Sequence, residues 1–353
     1  MKAFPVRFAT IGSSAIAKEF FACAANTDSA RVRTVYSRDG EKARSIALGI
    51  GAEKYCSSLE DICSDGDIDA VYIASPNSLH APQARMMLEA GKHVLCEKPL
   101  FANSRLVKEL SSLAASKGLV LMEAYKSAYM PNMKKIYDAL PSLGKIRSVF
   151  FSFGKYSSRY DAHKRGEDVN TFKKEFANGG LLDMGVYCLY PALLFFGEPE
   201  SVSGTAQTVP GGVDGTGFVT LKYDGFCVCV HYSKISNSFL PCEIEGEDAT
   251  MIIDRINIPE SARIVYRDGK TEVLFDGSSE KSGNMCADLH SMSGMTFELE
   301  AFCGAVRASK ERGCTVALPY KIKTALGLSL AGAKITDGFR ARCGIVYPQD
   351  AQT

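Results

Sequence analysis

Strand-length apolar runs alternate with helix-length stretches throughout the first ~125 residues, and few folds tolerate that order. The runs are Val6–Ile11, Val32–Ser37, Ala70–Ala74, His93–Cys96 and Leu119–Met122. Between them lie Ala15–Ala25, Glu41–Leu48, Ala81–Ala90 and Ser104–Lys117. A chain that leaves a strand, forms a helix and returns to the same sheet makes a right-handed crossover, so neighbouring strands run parallel and helices cover both faces. The spacing predicts an α/β domain with a doubly wound parallel sheet.

The rhythm changes after Pro131. A helix over Asn132–Ala139 leads into a strand over Lys145–Gly154, a polar stretch through Asn178 and a helix over Leu181–Phe196. Strand-like runs with short turns follow: Ser201–Val209, Gly217–Tyr223, Phe226–Ser233, Cys242–Gly246, Thr250–Asp254, Arg263–Tyr266 and Glu272–Phe275. The Asp224-Gly225 turn between two of them is a hairpin signal, so the second half predicts α+β, a mainly antiparallel sheet with helices on one face. Late helices over Met295–Ala308 and Lys321–Arg340 are expected to close that half. At 353 residues the chain is about twice a domain of ~150, in keeping with two domains.

Composition narrows the partners. Lys plus Arg number 41 and Asp plus Glu 40, so there is no broad basic field and a nucleic acid is not expected. No Cys-x-x-Cys occurs among the 12 cysteines; Cys23, Cys96, Cys188 and Cys303 sit among apolar neighbours and read as small core residues, which points to a reducing, cytoplasmic setting. The N-terminus carries no signal-like apolar block, and the apolar window around Leu189–Phe196 falls short of the ~20 residues that span a bilayer, so no membrane is expected. His93, His163, His231 and His290 lack paired ligand spacing, and no metal is expected.

The first strand runs into Gly12-Ser13-Ser14-Ala15-Ile16-Ala17, where a dinucleotide fold places its phosphate loop. In the pattern G-x-G-x-x-G/A the first glycine makes the turn, the second admits the pyrophosphate and the last small residue packs the helix. Gly12 and Ala17 fit, and Ser14 replaces the middle glycine. After the second strand come Ser37 and Arg38, with Lys42 one helical turn on; a hydroxyl and a guanidinium there suit a 2′-phosphate, hence NADP, with NAD the alternative if Asp39 serves the ribose. A helix capped by Ser13 or Ser14, with no ligand, is the bland alternative.

Two further loops fall at strand ends: Ser75-Pro76-Asn77-Ser78-Leu79-His80 and Cys96-Glu97-Lys98-Pro99-Leu100. Together with Met122-Glu123-Ala124, Leu143-Gly144-Lys145-Ile146-Arg147-Ser148-Val149 and Gly179-Gly180-Leu181-Leu182-Asp183-Met184-Gly185-Val186-Tyr187, the chain resembles the Gfo/Idh/MocA oxidoreductases along nearly its whole length. The Asp183-x-x-x-Tyr187 spacing resembles the branch of dihydrodiol dehydrogenase and glucose–fructose oxidoreductase. The resemblance implies a Rossmann domain over 1–125 and a substrate-binding and oligomerisation domain over 126–353. It further implies hydride transfer between the nicotinamide and a secondary alcohol or carbonyl of a sugar, polyol or cyclic diol. Lys98 would be catalytic, polarising the substrate oxygen; Tyr187 would give or take the proton and Asp183 would orient the substrate or Tyr187, with Tyr125 beside the substrate. Residues four apart on a helix share a face, so Asp183 and Tyr187 can serve one pocket. Ser75, Pro76, Asn77 and His80 would shape the cofactor loop, Glu97 would hold Lys98 or line the nicotinamide pocket, and Lys98–Pro99 is a candidate cis bond.

The branch pattern is broken at Tyr125-Lys126-Ser127-Ala128-Tyr129-Met130-Pro131, which lacks the Trp and Arg usual after Met-Glu-Ala. A non-catalytic dinucleotide-binding sensor on the same fold is the competing function. Phe226–Ser233 alternates Phe226, Val228, Val230 and Tyr232 with Cys227, Cys229, His231 and Ser233, and neither face is strongly charged. That predicts a homodimer or higher oligomer through the C-terminal sheet.

Overall fold

The structure, a computed structural model, describes residues 4–277, 294–312 and 315–351. The chain divides into two compact units. The first takes the described residues of Met1–Lys126, Met292–Ala317 and Thr324–Ser329, the second those of Ser127–Ser291, Leu318–Lys323 and Leu330–Thr353.

In the first unit, strands β1 (Val6–Ile11), β2 (Ala30–Tyr36), β3 (Lys54–Cys56), β4 (Ala70–Ile73), β5 (His93–Glu97) and β6 (Leu121–Ala124) form one sheet in the order β3-β2-β1-β4-β5-β6. Every pairing in it is parallel. The order reverses between β1 and β4, and ligands of such sheets gather outside the strand ends at that reversal. All four residues of β4 are buried, as a strand covered on both faces requires. Helix α1 (Ala15–Ala25) buries Ala17, Phe20, Phe21, Cys23 and Ala24; Phe20 stacks on Tyr72 with centroids 3.9 Å apart and meets Phe8 edge-on at 5.3 Å.

Helices α2 (Gly40–Ile50), α3 (Leu59–Ser64), α4 (Asn77–Glu89) and α5 (Ser104–Ser116) complete the crossovers. Two short pieces, β3 and α3, were not anticipated: three strand residues and six helical ones are too few to show a hydrophobic period. Helix α4 starts at Asn77 rather than Ala81, with Pro76 extended at its N-cap, so Asn77–His80 form a first turn and not a loop.

The late helix Met295–Arg312, expected in the second half, belongs to the first unit. Phe302 lies 5.7 Å from the Phe8 ring, and Glu300 accepts hydrogen bonds from the hydroxyls of Thr27 and Ser29. Its buried Leu299, Phe302 and Cys303 cover the β1–α1 side. Periodicity could place a helix there but not assign it to a sheet far back in the chain. The helix Ala325–Arg342 likewise begins within the first unit's share and continues in the second's.

The second unit is built on strands β7 (Ile146–Gly154), β8 (Ser201–Val209), β9 (Val213–Tyr223), β10 (Phe226–Ser233), β11 (Cys242–Gly246), β12 (Ala249–Ile253), β13 (Ser261–Tyr266) and β14 (Thr271–Asp276). Their order is β14-β13-β12-β11-β7-β10-β9-β8. Successive strands pair antiparallel, but β7 lies between β11 and β10 and is parallel to β10, from Cys227 opposite Ser148 to Ser233 opposite Gly154. Helix α6 (Pro131–Ala139) precedes the sheet, α7 (Tyr160–Lys164) sits in the polar stretch, and α8 (Val186–Phe196) packs on β7 and β10.

Nearly every residue of α8 is buried, which explains why it is apolar all round. The stretch Lys174–Phe196 reaches membrane-spanning length at a mean hydropathy of 1.4, a correction to the expectation that no window does; 78% of that window is buried inside the protein.

Candidate active site

Gly12 ends β1 with φ +124°, and a Cβ there would lie 2.4 Å from the carbonyl oxygen of Ala74. Only glycine lets the loop pass that close to the end of β4. Ser14 takes the N-cap position of α1 in extended conformation, yet its side chain makes no capping hydrogen bond. The first-turn amides are thus not consumed by a cap, contrary to the bland alternative, and the turn has no acidic residue to repel an anion. Ala17 is fully buried, as the close packing of α1 on the sheet requires.

At the end of β2, Ser37 Oγ accepts the Asp39 amide at 3.2 Å, and Asp39 Oδ1 accepts the Lys42 amide at 3.1 Å. Asp39 is therefore the N-cap of α2. Arg38 and Lys42 are exposed on either side of it, which leaves two cations at the strand end where a 2′-phosphate would sit. These features fit a phosphorylated dinucleotide: a cradle closed to any Cβ, open amides and a basic rim.

The loop after β5 is held from below. Lys98–Pro99 is cis. Glu97 is buried; its Oε1 accepts the Tyr72 hydroxyl at 2.7 Å and its Oε2 the Lys98 amide at 3.3 Å. Burial pushes the Glu97 carboxyl above the usual carboxylate range, against the pull of Tyr72 and of Lys98. Burial and the neighbouring Glu97 together raise the Tyr72 phenol well above its ordinary value. Lys98 itself is half-buried.

His80 is fully buried, with Nδ1 2.9 Å from the Pro99 carbonyl oxygen and Nε2 2.9 Å from that of Ser75. It ties two strand-end segments together. A neutral imidazole can donate to one of these carbonyls, an imidazolium to both. Burial favours the neutral ring and lowers its pKa, while the carbonyls pull the other way.

Leu100 donates its amide to Glu123 Oε1 at 3.0 Å, and the Ser329 hydroxyl donates to Glu123 Oε2 at 2.5 Å, so β6 and the Ala325–Arg342 helix both brace this loop. Tyr125, expected beside the substrate, is 2% exposed and directly follows the buried strand β6. Lys126 points to α1, where its Nζ lies 3.1 Å from Glu19. Glu298, on the returning helix, was not singled out from the sequence; it is 1% exposed and burial, followed by repulsion from Glu97, raises its carboxyl well above the usual range.

In the second unit, the segment Leu181–Gly185 is a π-helical turn that runs into α8 and carries Asp183; Tyr187 lies in the first turn of α8. Such widened turns recur at functional sites. Asp214 fixes its start: this fully buried carboxylate accepts the Leu181 amide at 2.6 Å. A Cβ on Gly179 would lie 2.2 Å from Asp214 Oδ1, and one on Gly180 2.9 Å from the Tyr232 ring, which accounts for the paired glycines. Tyr187 is half-buried, its ring edge-on to Phe153 at 5.5 Å. Asp183 pairs with Lys234, Nζ to Oδ2 3.2 Å, a partner not foreseen in the sequence.

The other histidines do not converge. His93 Nδ1 accepts the Val120 amide, His231 Nδ1 lies 2.9 Å from Ser152 Oγ, and His163 stacks on Phe172; His290 lies outside the described residues. Among the described residues no group of three or more His, Cys, Asp or Glu is placed to hold a metal ion.

Comparison with known proteins adds what geometry alone does not. Residues 6–125 match the model of an oxidoreductase family with an NAD-binding Rossmann fold, and residues 136–252 match the Gfo/Idh/MocA C-terminal domain. The scyllo-inositol 2-dehydrogenase (NADP(+)) IolU of Bacillus subtilis is 40% identical over 98% of this chain and 99% of its own length. The trans-1,2-dihydrobenzene-1,2-diol dehydrogenase of Mus musculus is 33% identical over 62% of this chain and 66% of its own. A solved 3-ketoreductase from Actinomadura kijaniata, in complex with NADP and TDP-benzene, shares the fold with a TM-score of 0.78 at 23% identity, covering 96% of this chain and 97% of the other. The matches run through both halves of the sequence, and the chain belongs to the Gfo/Idh/MocA family of oxidoreductases.

Proposed function

We propose that this protein is an NADP-dependent dehydrogenase that moves a hydride between the nicotinamide and a secondary alcohol or carbonyl of a polyol, sugar or cyclic diol, with an inositol-type ring the first substrate to test. The observation that carries the reading is the full-length similarity to an NADP-linked inositol dehydrogenase in a chain that has Arg38 and Lys42 at the ribose end and Lys98, Asp183 and Tyr187 for the chemistry.

NADP, when bound, supplies the hydride acceptor for alcohol oxidation, and its reduced form the donor for the reverse. Gly12, the amides of Ser13 through Ile16 and the basic pair Arg38 and Lys42 would hold its phosphates. In alcohol oxidation the Lys98 ammonium would polarise the substrate oxygen, Tyr187 as phenolate would take the hydroxyl proton as the carbinol hydrogen leaves as hydride for the nicotinamide, and Asp183 would orient the substrate or Tyr187. Phenol and ammonium both titrate near ~10, so each needs its neighbours to exchange a proton at neutral pH.

The same reading extends to the setting. None of the described cysteines is in a disulfide, in keeping with a reducing cytoplasm. The outward face of β9 and β10, with Phe218 half exposed against His231 and Cys227 exposed four residues from His231 along β10, opposite Lys222, supports a homodimer through the sheet. A monomer mass in light scattering at micromolar concentration refutes that dimer.

The test is NADPH formation with a panel of inositols, sugars and cyclic diols. Wild-type turnover is expected, and Lys98→Met should lower kcat by roughly 10²–10⁴-fold while NADPH binding is retained. Activity above a few per cent in that variant overturns the role of Lys98. Tight NADPH binding without turnover on any member of the panel replaces the enzyme by a sensor.

A further inference from the structure

Lys234 is the most deeply buried cation of the second unit's described residues, its side chain only 1% exposed. Three contacts take up its ammonium. It pairs with Asp183 at 3.2 Å, donates to the Thr171 carbonyl at 3.0 Å and lies 4.9 Å from the Phe172 ring centre. Its main chain is pinned as well, since its amide donates to the Gly215 carbonyl at 2.8 Å and its carbonyl accepts the Ser157 amide at 2.9 Å. Burying an ammonium is costly unless a carboxylate and further hydrogen bonds meet it, and removing one partner leaves the other stranded. Asp183 differs from its partner in that about a third of its side chain remains exposed. The pair thus has a buried anchor and an accessible end.

We propose that Lys234 is a positioning residue for the reaction: it keeps Asp183 ionised and aimed, and ties the π-helical turn that carries Asp183 to the Thr171 carbonyl and the Phe172 ring. The proposal rests on the function given above. Among the described residues, the ionisable groups near the pair include Asp214 on β9, whose carboxyl burial raises above the usual range against a weaker pull from Lys234, His163 stacked 4.6 Å from Phe172, and Tyr187 one turn along. Asp214 has its own amide partner and Tyr187 its own ring contact, so the ion pair singles out Asp183 as the group that Lys234 holds.

The experiment has two arms on the full-length protein. In the first, the Asp183 carboxyl is titrated by carbon NMR, assigned with Asp183→Asn, in wild type, Lys234→Met and Lys234→Gln; the last is included because it retains a donor for Thr171 if the methionine variant does not fold. The midpoint should rise by at least one pH unit in either neutral variant. In the second, kcat and KM for polyol oxidation are followed against pH. Each neutral variant should lose at least tenfold in kcat, with the acid limb moved to higher pH, NADPH affinity unchanged and Lys234→Arg largely restored. In the Asp183→Asn background the effect of Lys234→Met should vanish. A folded neutral variant with an unmoved Asp183 midpoint, or with the same loss in the Asp183→Asn background, overturns the proposal. Failure of the wild type to oxidise any polyol overturns the function instead, and the titration arm still decides Lys234.

Discussion

Substituting Gly12 by Ala tests the phosphate loop with two separable costs. The backbone there has φ +124°, and the added methyl would sit 2.4 Å from the Ala74 carbonyl oxygen and 2.7 Å from its carbon, atoms of a strand end that cannot swing away. Holding a non-glycine residue in such a conformation costs about 1–3 kcal/mol, and forcing a methyl into a filled space adds about 1–3 kcal/mol, so the sum is about 2–6 kcal/mol. Gly51 provides the control. It too has positive φ, +69° at the C-cap of α2, but a Cβ there meets nothing within 4 Å, so Gly51→Ala carries the backbone cost alone, about 1–2 kcal/mol.

Urea denaturation and thermal melting of both variants read the difference. For a domain of this size 1 kcal/mol moves the midpoint by roughly 2–4 °C, so a 4 kcal/mol loss in Gly12→Ala lowers it by roughly 8–16 °C. If the loop instead moves out of the methyl's way, stability recovers but the pyrophosphate site widens, and NADPH affinity falls at least tenfold. Gly12→Ala no less stable than Gly51→Ala, with unchanged NADPH affinity, refutes the close-approach argument.

Two further predictions concern the same unit. Arg38→Ala should weaken NADPH binding by roughly 10- to 150-fold, the range of one charge-assisted hydrogen bond of about 1.5–3 kcal/mol, while NADH binding stays within twofold; equal losses for the two coenzymes in fluorescence titrations dismiss the 2′-phosphate role. His80, whose pKa is lowered by burial, binds its proton more readily unfolded than folded, so its contribution to stability is present above the ordinary value of 6.5 and is lost as pH falls from there toward the folded value; His80→Gln should flatten that part of the stability profile, and an unchanged slope between pH 7 and pH 5 in urea titrations counts against it.

Much of the fold was legible because its elements bury their own sequence signature. The parallel strands are continuous apolar runs and α1 has its stripe, so both announce themselves locally. What escaped was set by tertiary partners. Lys234 follows His231-Tyr232-Ser233 and reads as the solvated end of a strand until Asp183 and Thr171 are brought to it from earlier in the chain. Glu298 looks like a surface residue of an amphipathic helix until that helix is placed against the first unit. Tyr125 stands next to a family motif, which suggested a substrate role, but its near-complete burial is not visible in the sequence. The Asp183-x-x-x-Tyr187 spacing was legible, but not the π-helical turn beneath it, which depends on Asp214 reaching the Leu181 amide past two glycines.

The return of Met295–Arg312 to the first unit bears on synthesis as well as architecture. A ribosome delivers the six parallel strands early, yet Leu299, Phe302 and Cys303, which cover the side of β1 and α1, emerge only after the whole second sheet has been made. Until then Phe8 lacks one of its aromatic neighbours, and the hydroxyls of Thr27 and Ser29 lack Glu300. The cofactor unit, first to appear on the nascent chain, is thus among the last to be completed, and a fragment cut at residue 126 is an unfinished domain and not a minimal one.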